Sequence, residues 1–432
     1  MFGLTVAYCF YADRTQVFNK FHKHYTTSGF MGLTLTWLVI GCLTVGKSAI
    51  NVPSQPFLSR HQTDEWKGWL QFAILVYHYT GASKIPWIYG FIRVTVAAYL
   101  FMTGYGHAAY FYKKGDYSFK RVAGVLIRLN LLSCVLPYMM KTEYIFYYFA
   151  PLVSFWFIVI YLTMRIGSQY NSNTRFLVSK IIASAFLTTL LVKYPGALEA
   201  LFEIPRIIAG TQWNVVEFRF RLSLDMWIVH LGMLTSILAA KLSDSTSHYS
   251  GNLHQLRRYA ITASCISLPI FFLFLATRQT KFIYNAYHPY VSFTPILAFI
   301  ILRNATPKLR NSHSLVFAWL GKCSLETFTL QFHIWLAGDT RGLLGLNLTG
   351  AYGRSTNFVL ATALFLFTSN CVAGATQELT SWIMGVPEAK HALPTAKEEA
   401  ATAPVEKGVC LKVKCVIILV VLWALNMVSD PS

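Results

Sequence analysis

Charge is what this sequence lacks most. Only 13% of its 432 residues are Asp, Glu, Lys or Arg, about half of the roughly 25% that soluble chains carry. Apolar residues make up 55%, and mean hydropathy is +0.45. A soluble protein with so few charged side chains could not cover its surface. The composition therefore excludes a disordered chain, a coiled coil, collagen and a soluble enzyme, and it predicts a polytopic membrane protein.

Acidic residues are the scarcer of the two charge types. The chain has 18 Asp and Glu against 37 Lys and Arg, a net charge of +19. The basic residues form short groups between apolar runs, as they do in the cytoplasmic loops of membrane proteins. Because no nucleic-acid-binding motif accompanies them, we interpret most of this charge as topology-determining and expect no nucleic-acid partner.

The motifs of familiar soluble enzymes are also missing. The eight cysteines include no C-x-x-C pair, so the sequence predicts neither a disulfide framework nor a zinc site. There is no P-loop, no G-x-G-x-x-G after a strand, no H-E-x-x-H and no G-x-S-x-G. Nucleotide-dependent, metal-dependent and serine-hydrolase chemistries of those types are therefore not indicated, and no metal cofactor is predicted.

Long apolar runs are what the sequence has. A spanning helix needs about 20 mostly apolar residues, and candidate runs lie at 30–46, 66–83, 88–112, 122–140, 144–164, 176–194, 226–241, 259–277, 291–302, 314–337, 356–375 and 415–429. They predict an all-α transmembrane bundle of about 11–13 spans. The runs at 66–83, 226–241 and 291–302 are short or polar, and re-entrant segments are the alternative there.

The runs also predict the domain organisation. Residues 1–382 are expected to form one multispanning domain, 383–412 a flexible linker rich in Ala, Glu, Lys and Pro, and 413–432 a C-terminal transmembrane helix. Residues 1–12 lack the basic start and cleavage site of a signal sequence. We expect them to be the last half of a span whose beginning is missing or very short.

Ionisable residues inside apolar runs are costly and are functional candidates by default. His78 lies in FAILVYHYTG, and Lys67 precedes it by eleven positions. On a continuous helix the two share one face, three turns apart. A neutral imidazole can take a proton from an alcohol at neutral pH. The alternative is a structural histidine bonded to a neighbouring helix.

A second group of candidates follows at residues 93–128. Arg93 lies in an apolar run before Gly104, Gly106 and His107. Arginine stays charged when buried and binds phosphate or carboxylate in a fixed fork. The glycines would allow close backbone approach or a helix break, although helix packing is the alternative. Arg128 begins another apolar run, where it is either a ligand or a snorkelling side chain.

Two polar groups lie further along the chain. The segment EFRFRLSLD contains Glu217, Arg219 and Asp225 directly before an apolar run. It predicts a charged cluster or interfacial anchor, with local ion pairs at a loop-to-helix junction as the alternative. His288, followed by proline, is predicted to open the next span.

The segment LETFTLQFHIWLAGDTRG closes a later run with Gln331, His333, Asp339 and Arg341. Four polar groups at the end of one span exceed what packing needs, so we predict a site there. Asp339 and Arg341 are expected to close that site or to pair with each other.

Three stretches resemble a known family. They are DEWKGWLQFAILVYHYTGAS with RVTVAAYLFMTGYGHAAYFYKKGDYSFKRVAGVLIRLN, then FYYFAPLVSFWFIVIYLTM, then HPYVSFTPILAFIILRN with WLGKCSLETFTLQFHIWLAGDTRG. They look like the multispanning domain of eukaryotic polysaccharide O-acetyltransferases, over about residues 6–375. That family includes animal sialic-acid O-acetyltransferases, fungal capsule O-acetylation proteins and plant reduced-wall-acetylation proteins.

The resemblance implies an acetyltransferase, a multi-pass Golgi membrane protein. It would move acetyl groups from cytosolic acetyl-CoA to hydroxyls of luminal glycans, either sialic acid or wall and capsule polysaccharide, directly or through a luminal hydrolase-like partner. Bacterial membrane acyltransferases carry an Arg and a His with ten residues between them, and Lys67-x10-His78 matches that spacing with Lys for Arg.

Residue roles follow from the resemblance together with the charges. His78 is predicted to be the general base, and His333 is a second candidate with Gln331 as orienting group or oxyanion donor. A basic set with its neighbouring glycine and histidine is predicted to hold acetyl-CoA: Lys67, Arg93, Arg128, Gly104 and His107. The charged residues at 217–225, His288, Asp339 and Arg341 form a substrate-binding or structural polar cluster.

The sequence departs from the family in two places. Animal and fungal members have an N-terminal luminal hydrolase-like domain, and Met1 falls where their second span would be ending. We therefore expect a plant-like stand-alone protein or a truncated or duplicated form. The family's Leu-Asp-Arg-Tyr reads Leu-Asp-Met-Trp at residues 224–227. The rival hypothesis is a membrane carrier of acetyl-CoA or acetyl units that does no chemistry.

Overall fold

The computed structural model describes residues 1–47, 55–210, 213–245, 250–348, 353–385 and 410–429. Helices account for most of these residues, and the strands are two to four residues long. The predicted all-α fold is confirmed.

The first half of the chain is a series of helices with two short strands. They are α1 (Phe2–Cys9), which continues into a π-helical turn (Phe10–Arg14), β1 (Asn19–Phe21), α2 (Thr27–Leu43), β2 (Val45–Lys47), α3 (Arg60–Thr80), α4 (Pro86–Lys114), α5 (Phe119–Met140), α6 (Phe149–Arg165) and α7 (Thr174–Lys193).

The second half adds eleven helices and three strands within the described residues. They are α8 (Ala197–Ala209), α9 (Val215–Leu224), α10 (Ile228–Ser245), α11 (Ser250–Ala276), α12 (Lys281–Val291), α13 (Phe293–Arg303), α14 (Pro307–Asn311), β3 (Ser312–Ser314), α15 (Leu315–Lys322), α16 (Ser324–Ile334), β4 (Leu336–Ala337), β5 (Gly342–Gly345), α17 (Gly353–Ile383) and α18 (Leu411–Ser429).

Local sequence explains where α3 and α4 begin and end. The Ser59 hydroxyl accepts a hydrogen bond from the Gln62 amide and so caps the first turn of α3. Gly81 ends that helix with a φ of +68°, a conformation that glycine adopts without strain. Pro86 occupies the first turn of α4, where its missing N–H is not needed, and Gly115 ends it at φ +61°.

Fewer helices are long enough to span a membrane than the 11–13 predicted. Within the described ranges, five are both long and apolar enough: α4, α5, α7, and the stretches His254–Ala276 of α11 and Ser355–Ile383 of α17. The bent pair α9–α10, with an angle of 41°, would make a sixth. Helices α2, α6 and α13 are apolar but shorter.

The helices also depart from the predicted runs at several points. The run 314–337 divides at Cys323 into α15 and α16. The polar connection 196–225 contains α8 and α9. The prediction that His288 and Pro289 open a span was wrong, because both lie inside α12 and the next helix begins at Phe293. Most of the predicted linker 383–412 lies outside the described residues, and the predicted last span falls on α18.

Helix α4 forms the centre of the bundle. Its apolar stretch is 78% buried, against 17–22% for the other four long apolar helices. It contacts α10 backbone to backbone, because a Cβ atom on Gly104 would come within 2.1 Å of the Val229 carbonyl oxygen and one on Gly232 within 2.3 Å of the Phe101 carbonyl oxygen. Gly104 therefore serves close helix packing, and α4 is continuous at this point.

Helix α3 is held against α15 in the same way. A Cβ atom on Gly68 would come within 1.7 Å of the Phe317 carbonyl oxygen, and one on Gly321 within 1.8 Å of the Asp64 carbonyl oxygen. Small residues at such contacts let membrane helices approach closely. The two contacts fix α3, which carries Lys67 and His78, beside the start of α16.

Two small antiparallel sheets join the N-terminal segment to the C-terminal half. Strands β1, β5 and β4 pair in that order, with Lys20 opposite Leu344, at the end of the bundle near His78. Strands β2 and β3 pair, with Gly46 opposite His313, at the end near Lys67. We call these ends of the molecule the His78 end and the Lys67 end.

Candidate functional site

Two adjoining cavities lie beside α3. The basic cavity has a volume of about 610 Å³, and its lining along α3 extends from Arg60 to Ile74. The histidine cavity has a volume of about 390 Å³ and contains His78. Ile74, Val96 and Tyr148 line both cavities, so these three side chains form the wall between them.

Helix α3 supplies one stripe of side chains to both cavities. Lys67 and Gln71 line the basic cavity, Ile74 lies in the wall, and His78 lines the histidine cavity. Their spacings of four, three and four residues place them on one helix face. Because α3 is continuous, Lys67 and His78 share a face as predicted, about 16.5 Å apart along the axis.

Positive charge dominates the basic cavity. Its lining includes one carboxylate, Glu326, and five cationic side chains: Arg60, Lys67, Arg121, Arg128 and Lys322. His107 also lines this cavity, with its ring edge-on to Phe157 at 4.7 Å. The structure thus brings the predicted residues Lys67, His107 and Arg128 together around one space.

Several of these cations already have partners. Arg128 Nη1 lies 2.6 Å from Glu326 Oε1. Asp64 lies between Arg60 and Lys67, at 3.3 Å from Arg60 Nε and 3.3 Å from Lys67 Nζ. Even with those pairs the lining keeps a surplus of positive charge, which suits a polyanionic ligand.

The histidine cavity combines His78 with charged and aromatic residues. Glu217, Arg221 and Lys281 line it, as do the rings of Tyr77, Tyr89, Tyr148, Phe220 and Phe282. Arg221 Nη2 lies 2.6 Å from Glu217 Oε1, and the Arg221 guanidinium stacks 4.2 Å from the Tyr148 ring centroid. His78 is half-buried and touches the Phe332 ring.

Arg93 belongs to a buried ionic cluster. Its Nη2 atom donates a 2.6 Å hydrogen bond to Asp225 Oδ2. The other carboxylate oxygen lies 3.3 Å from His288 Nε2, and His288 Nδ1 lies 2.9 Å from the Tyr284 hydroxyl. Arg93 also lines the histidine cavity, so the structure separates it from Lys67 and Arg128. Asp225, which the sequence placed near a junction, neutralises its charge.

His333 is the centre of another buried cluster. Its Nδ1 atom lies 2.8 Å from Asp13 Oδ2, and its Nε2 atom lies 2.6 Å from the Tyr147 hydroxyl. Asp13, His333 and Tyr147 are each 0% exposed. His333 and Gln331 line neither cavity, and Gln331 Nε2 donates to the Phe328 carbonyl at 2.9 Å.

The remaining predicted residues lie near the surface. Asp339 forms an ion pair with Lys20, and the Lys20 ammonium also donates to the Asp13 carbonyl at 2.7 Å. Burial raises the pKa of Asp339, but the hydrogen bond and charge of Lys20 outweigh it, so that this pKa lies below its ordinary value. Arg341 is exposed in the turn between β4 and β5. Arg219 forms an ion pair with Glu199.

Sequence reasoning missed several lining and supporting residues. Gln71 could have been found, because it lies four positions after Lys67 on the stripe that leads to His78. Asp13 and Tyr147 could not be recognised in the sequence, because the role of each depends on its hydrogen bond to His333, more than 180 residues away. Among the described residues, no group of three His, Cys, Asp or Glu side chains is arranged to hold a metal ion.

Comparison with known proteins supplies the family. Residues 1–396 match a family described as a 10 TM acyl transferase domain found in Cas1p. The chain belongs to this family. The resemblance predicted from the three sequence stretches is thereby confirmed, and the ten spans of the family's description concern a region that ends before α18.

A curated relative extends the comparison. The chain is 36% identical over 416 residues to the zebrafish (Danio rerio) protein named N-acetylneuraminate (7)9-O-acetyltransferase. The match covers 91% of this chain and 51% of the relative, so the chain spans about half the relative's length. No solved structure matches the chain.

Proposed function

We propose that this membrane acyltransferase moves acetyl groups from acetyl-CoA to a hydroxyl of a glycan. The observation that carries the proposal is the stripe on α3, which leads from Lys67 in the basic cavity to His78 in the histidine cavity. A phosphate-bearing donor fits the first cavity and a hydroxyl acceptor fits the second. The O-acetyltransferase named among the relatives supports the acetyl group and the glycan, either sialic acid or a polysaccharide.

The basic cavity is suited to the phosphates of CoA. Lys67, Arg121, Arg128 and Lys322 present point charges and planar guanidinium groups, and both kinds of group bind phosphate oxygens. When the phosphates bind, the Arg128 guanidinium would either break its ion pair with Glu326 or contact the carboxylate and a phosphate at the same time. His107 lies in the same lining and would contact the donor.

Charge distribution supports a cytosolic entrance for the donor. Lys113, Lys114, Arg303 and Arg310 lie at the Lys67 end, since α3 and α4 run antiparallel and Arg303 pairs with Glu65. Membrane proteins keep such residues on the cytoplasmic side. The histidine cavity then opens towards the lumen, and a Golgi membrane with luminal glycan acceptors is consistent with this orientation.

His78 is the general base of the proposed reaction. Its neutral imidazole takes the proton of the acceptor hydroxyl, whose oxygen attacks the thioester carbonyl. The C–S bond then breaks, CoA leaves as a thiolate, and that thiolate takes up a proton. The acceptor hydroxyl belongs to the sugar itself or to a residue of a luminal partner that completes the transfer.

A carrier without chemistry is the second candidate. The wall of Ile74, Val96 and Tyr148 favours it, because two cavities that meet at one shared wall are the arrangement expected of alternating access. In that case His78 would bind the cargo and would not abstract a proton.

An assay with purified protein in detergent distinguishes the transferase from the carrier. The protein is given labelled acetyl-CoA and a soluble sugar acceptor. A transferase releases CoA and labels the sugar, and the Lys67→Met variant should need more acetyl-CoA to do so. CoA release without labelled sugar points to an acetylated intermediate and a missing partner. Binding of acetyl-CoA with neither product would contradict the transferase and support the carrier.

A further inference from the structure

Gln71 has a buried side-chain amide nitrogen that no residue described by the structure satisfies. The residue is 1% exposed and lines the basic cavity. Its Nε2 group has no hydrogen-bond partner among the described residues. A buried donor without a partner is costly, and such a group in a cavity wall is suited to a ligand that supplies the missing acceptor.

The position of Gln71 indicates which part of a ligand it would meet. It lies about 6 Å beyond Lys67 along α3 and about 4.5 Å before the wall residue Ile74. The phosphate-binding cations line the same cavity, with Lys67 nearer the start of α3 than Gln71 is. Gln71 therefore meets the ligand between its phosphates and the part that reaches the wall.

The chemistry of the Gln71 amide indicates which kind of ligand atom it would bind. Lys67, Arg121 and Arg128 are charged donors suited to phosphate, whereas Gln71 is a neutral amide that lies between Lys67 and the apolar wall residue Ile74 along α3. Neutral amide donors bind carbonyl oxygens without the cost of burying a charge. The arm that joins the phosphates of CoA to its thioester contains two amide groups, and the nitrogen of the second is joined to the sulfur by a two-carbon unit.

We infer that Gln71 is a positioning residue, which donates from Nε2 to the amide carbonyl nearest the thioester of the acyl donor. This bond holds the arm so that the thioester reaches the wall at Ile74, Val96 and Tyr148, beside the histidine cavity. The inference rests on the proposed function, since it requires an acyl-CoA in the basic cavity.

Truncated donors test the contact. The Gln71→Leu variant is compared with wild type on acetyl-CoA, on S-acetyl-N-acetylcysteamine, which keeps the amide nearest the thioester, and on S-propyl thioacetate, which has no amide. We expect kcat/KM to fall about tenfold for the two amide-containing donors, as for loss of one hydrogen bond. For S-propyl thioacetate we expect no change.

Two further variants keep the test decisive. Gln71→Met preserves side-chain length without a donor, and it replaces Gln71→Leu if that variant does not fold. Thr80→Val is the matched control, since Thr80 lies on α3, is buried and lines neither cavity. Thr80→Val should leave all three donors unaffected.

Each outcome decides the inference. An equal fall on all three donors would mean a general structural effect and would overturn it, as would full activity of both Gln71 variants. If wild-type protein neither binds acetyl-CoA nor releases CoA, the proposed function fails first and the inference falls with it. Normal wild-type transfer with unaffected Gln71 variants overturns the inference alone.

Discussion

His78 and His333 look alike in the sequence and differ completely in the structure. Each lies in an apolar run on a helix, and the two are close in space, because the neighbour of His333, Phe332, touches the ring of His78. His78 lines a cavity of about 390 Å³, and its imidazole ring has no hydrogen-bond partner among the described residues. His333 is fully buried between Asp13 and Tyr147.

The two rings differ in how many of their nitrogen atoms remain free to bind a substrate. A neutral imidazole has one donor and one acceptor nitrogen. At His333 both nitrogens are engaged within the protein, so the ring stabilises the junction of the N-terminal segment with α16 and the turn before α6. At His78 both nitrogens remain for a substrate. A general base must be within reach of the proton that it removes, and only His78 borders a space where that proton could lie.

Replacement of His78 should produce the largest effect. We expect His78→Gln to lower kcat by about 10²–10⁴-fold, the range typical for loss of a general base. The affinity for acetyl-CoA should stay the same, because the cations of the basic cavity are unchanged. Single-turnover CoA release and equilibrium binding measure the two quantities. His333→Gln is the paired variant, and a larger loss of kcat in a folded His333→Gln protein than in His78→Gln would reverse the comparison.

Replacement of Asp13 should act on stability. Asp13→Ala removes the carboxylate that bonds His333 and leaves a buried ring nitrogen unpaired, so we expect the free energy of unfolding to fall by about 2–3 kcal/mol. Thermal unfolding in detergent measures the change. Glu203→Ala is the control, since Glu203 is exposed and, among the described residues, its ion pair is with Arg206 on its own helix. A stable Asp13→Ala protein that has lost activity would instead make the His333 cluster catalytic.

Replacement of Lys67 should weaken donor binding about tenfold. Lys67→Met removes one charge from the basic cavity, and about 1.4 kcal/mol corresponds to a tenfold rise in Kd. The loss should be smaller at high salt, because screening weakens the interaction in wild type. Isothermal titration with CoA measures it, and Lys84→Met, at an exposed position beyond α3, should bind as wild type does. Equal affinity of Lys67→Met and wild type would exclude Lys67 as a phosphate ligand.

Much of the α3 stripe was predictable from the sequence. The separation of Lys67 and His78 by eleven residues needs only helical geometry to place both on one face, and α3 is continuous between them. The polar pattern also pointed to Arg128 and His107, which the structure gathers around the same cavity. These predictions used the residue spacing within one helix or the presence of an ionisable residue in an apolar run. Both are local properties of the sequence.

Pairings between distant segments could not be predicted. Asp225 neutralises Arg93 across 132 positions, and Asp13 holds His333 across 320. A sequence shows that such residues are ionisable and lie in apolar runs, but the partner determines whether the group is free for a ligand. The cavity wall gave no signal either, since Ile74, Val96 and Tyr148 are ordinary membrane-helix residues until two cavities meet at them.

The smallest effect is expected at Asp339, and its pH dependence tests how the surface of the His333 cluster is held. Lys20 lowers the pKa of Asp339 in the folded protein. Since a lowered pKa means that the ionised form favours folding, the pair stabilises the protein above the unfolded-state pKa of about 3.9, and that stability is lost as pH falls through the folded-state value. Asp339→Asn should therefore reduce stability at pH 7 by about 1 kcal/mol, the upper end of the range for ion pairs at the surface.

Melting temperatures of wild type and Asp339→Asn should converge on acidification below pH 4, because wild type then loses the same interaction. Lys20→Met should give a comparable loss at pH 7, and the double variant should be less destabilised than the sum of the two single variants, since both remove one pair. A difference between wild type and Asp339→Asn that stays constant with pH would mean that the carboxylate charge contributes nothing. Lys20 would then support the His333 cluster only through its bond to the Asp13 carbonyl.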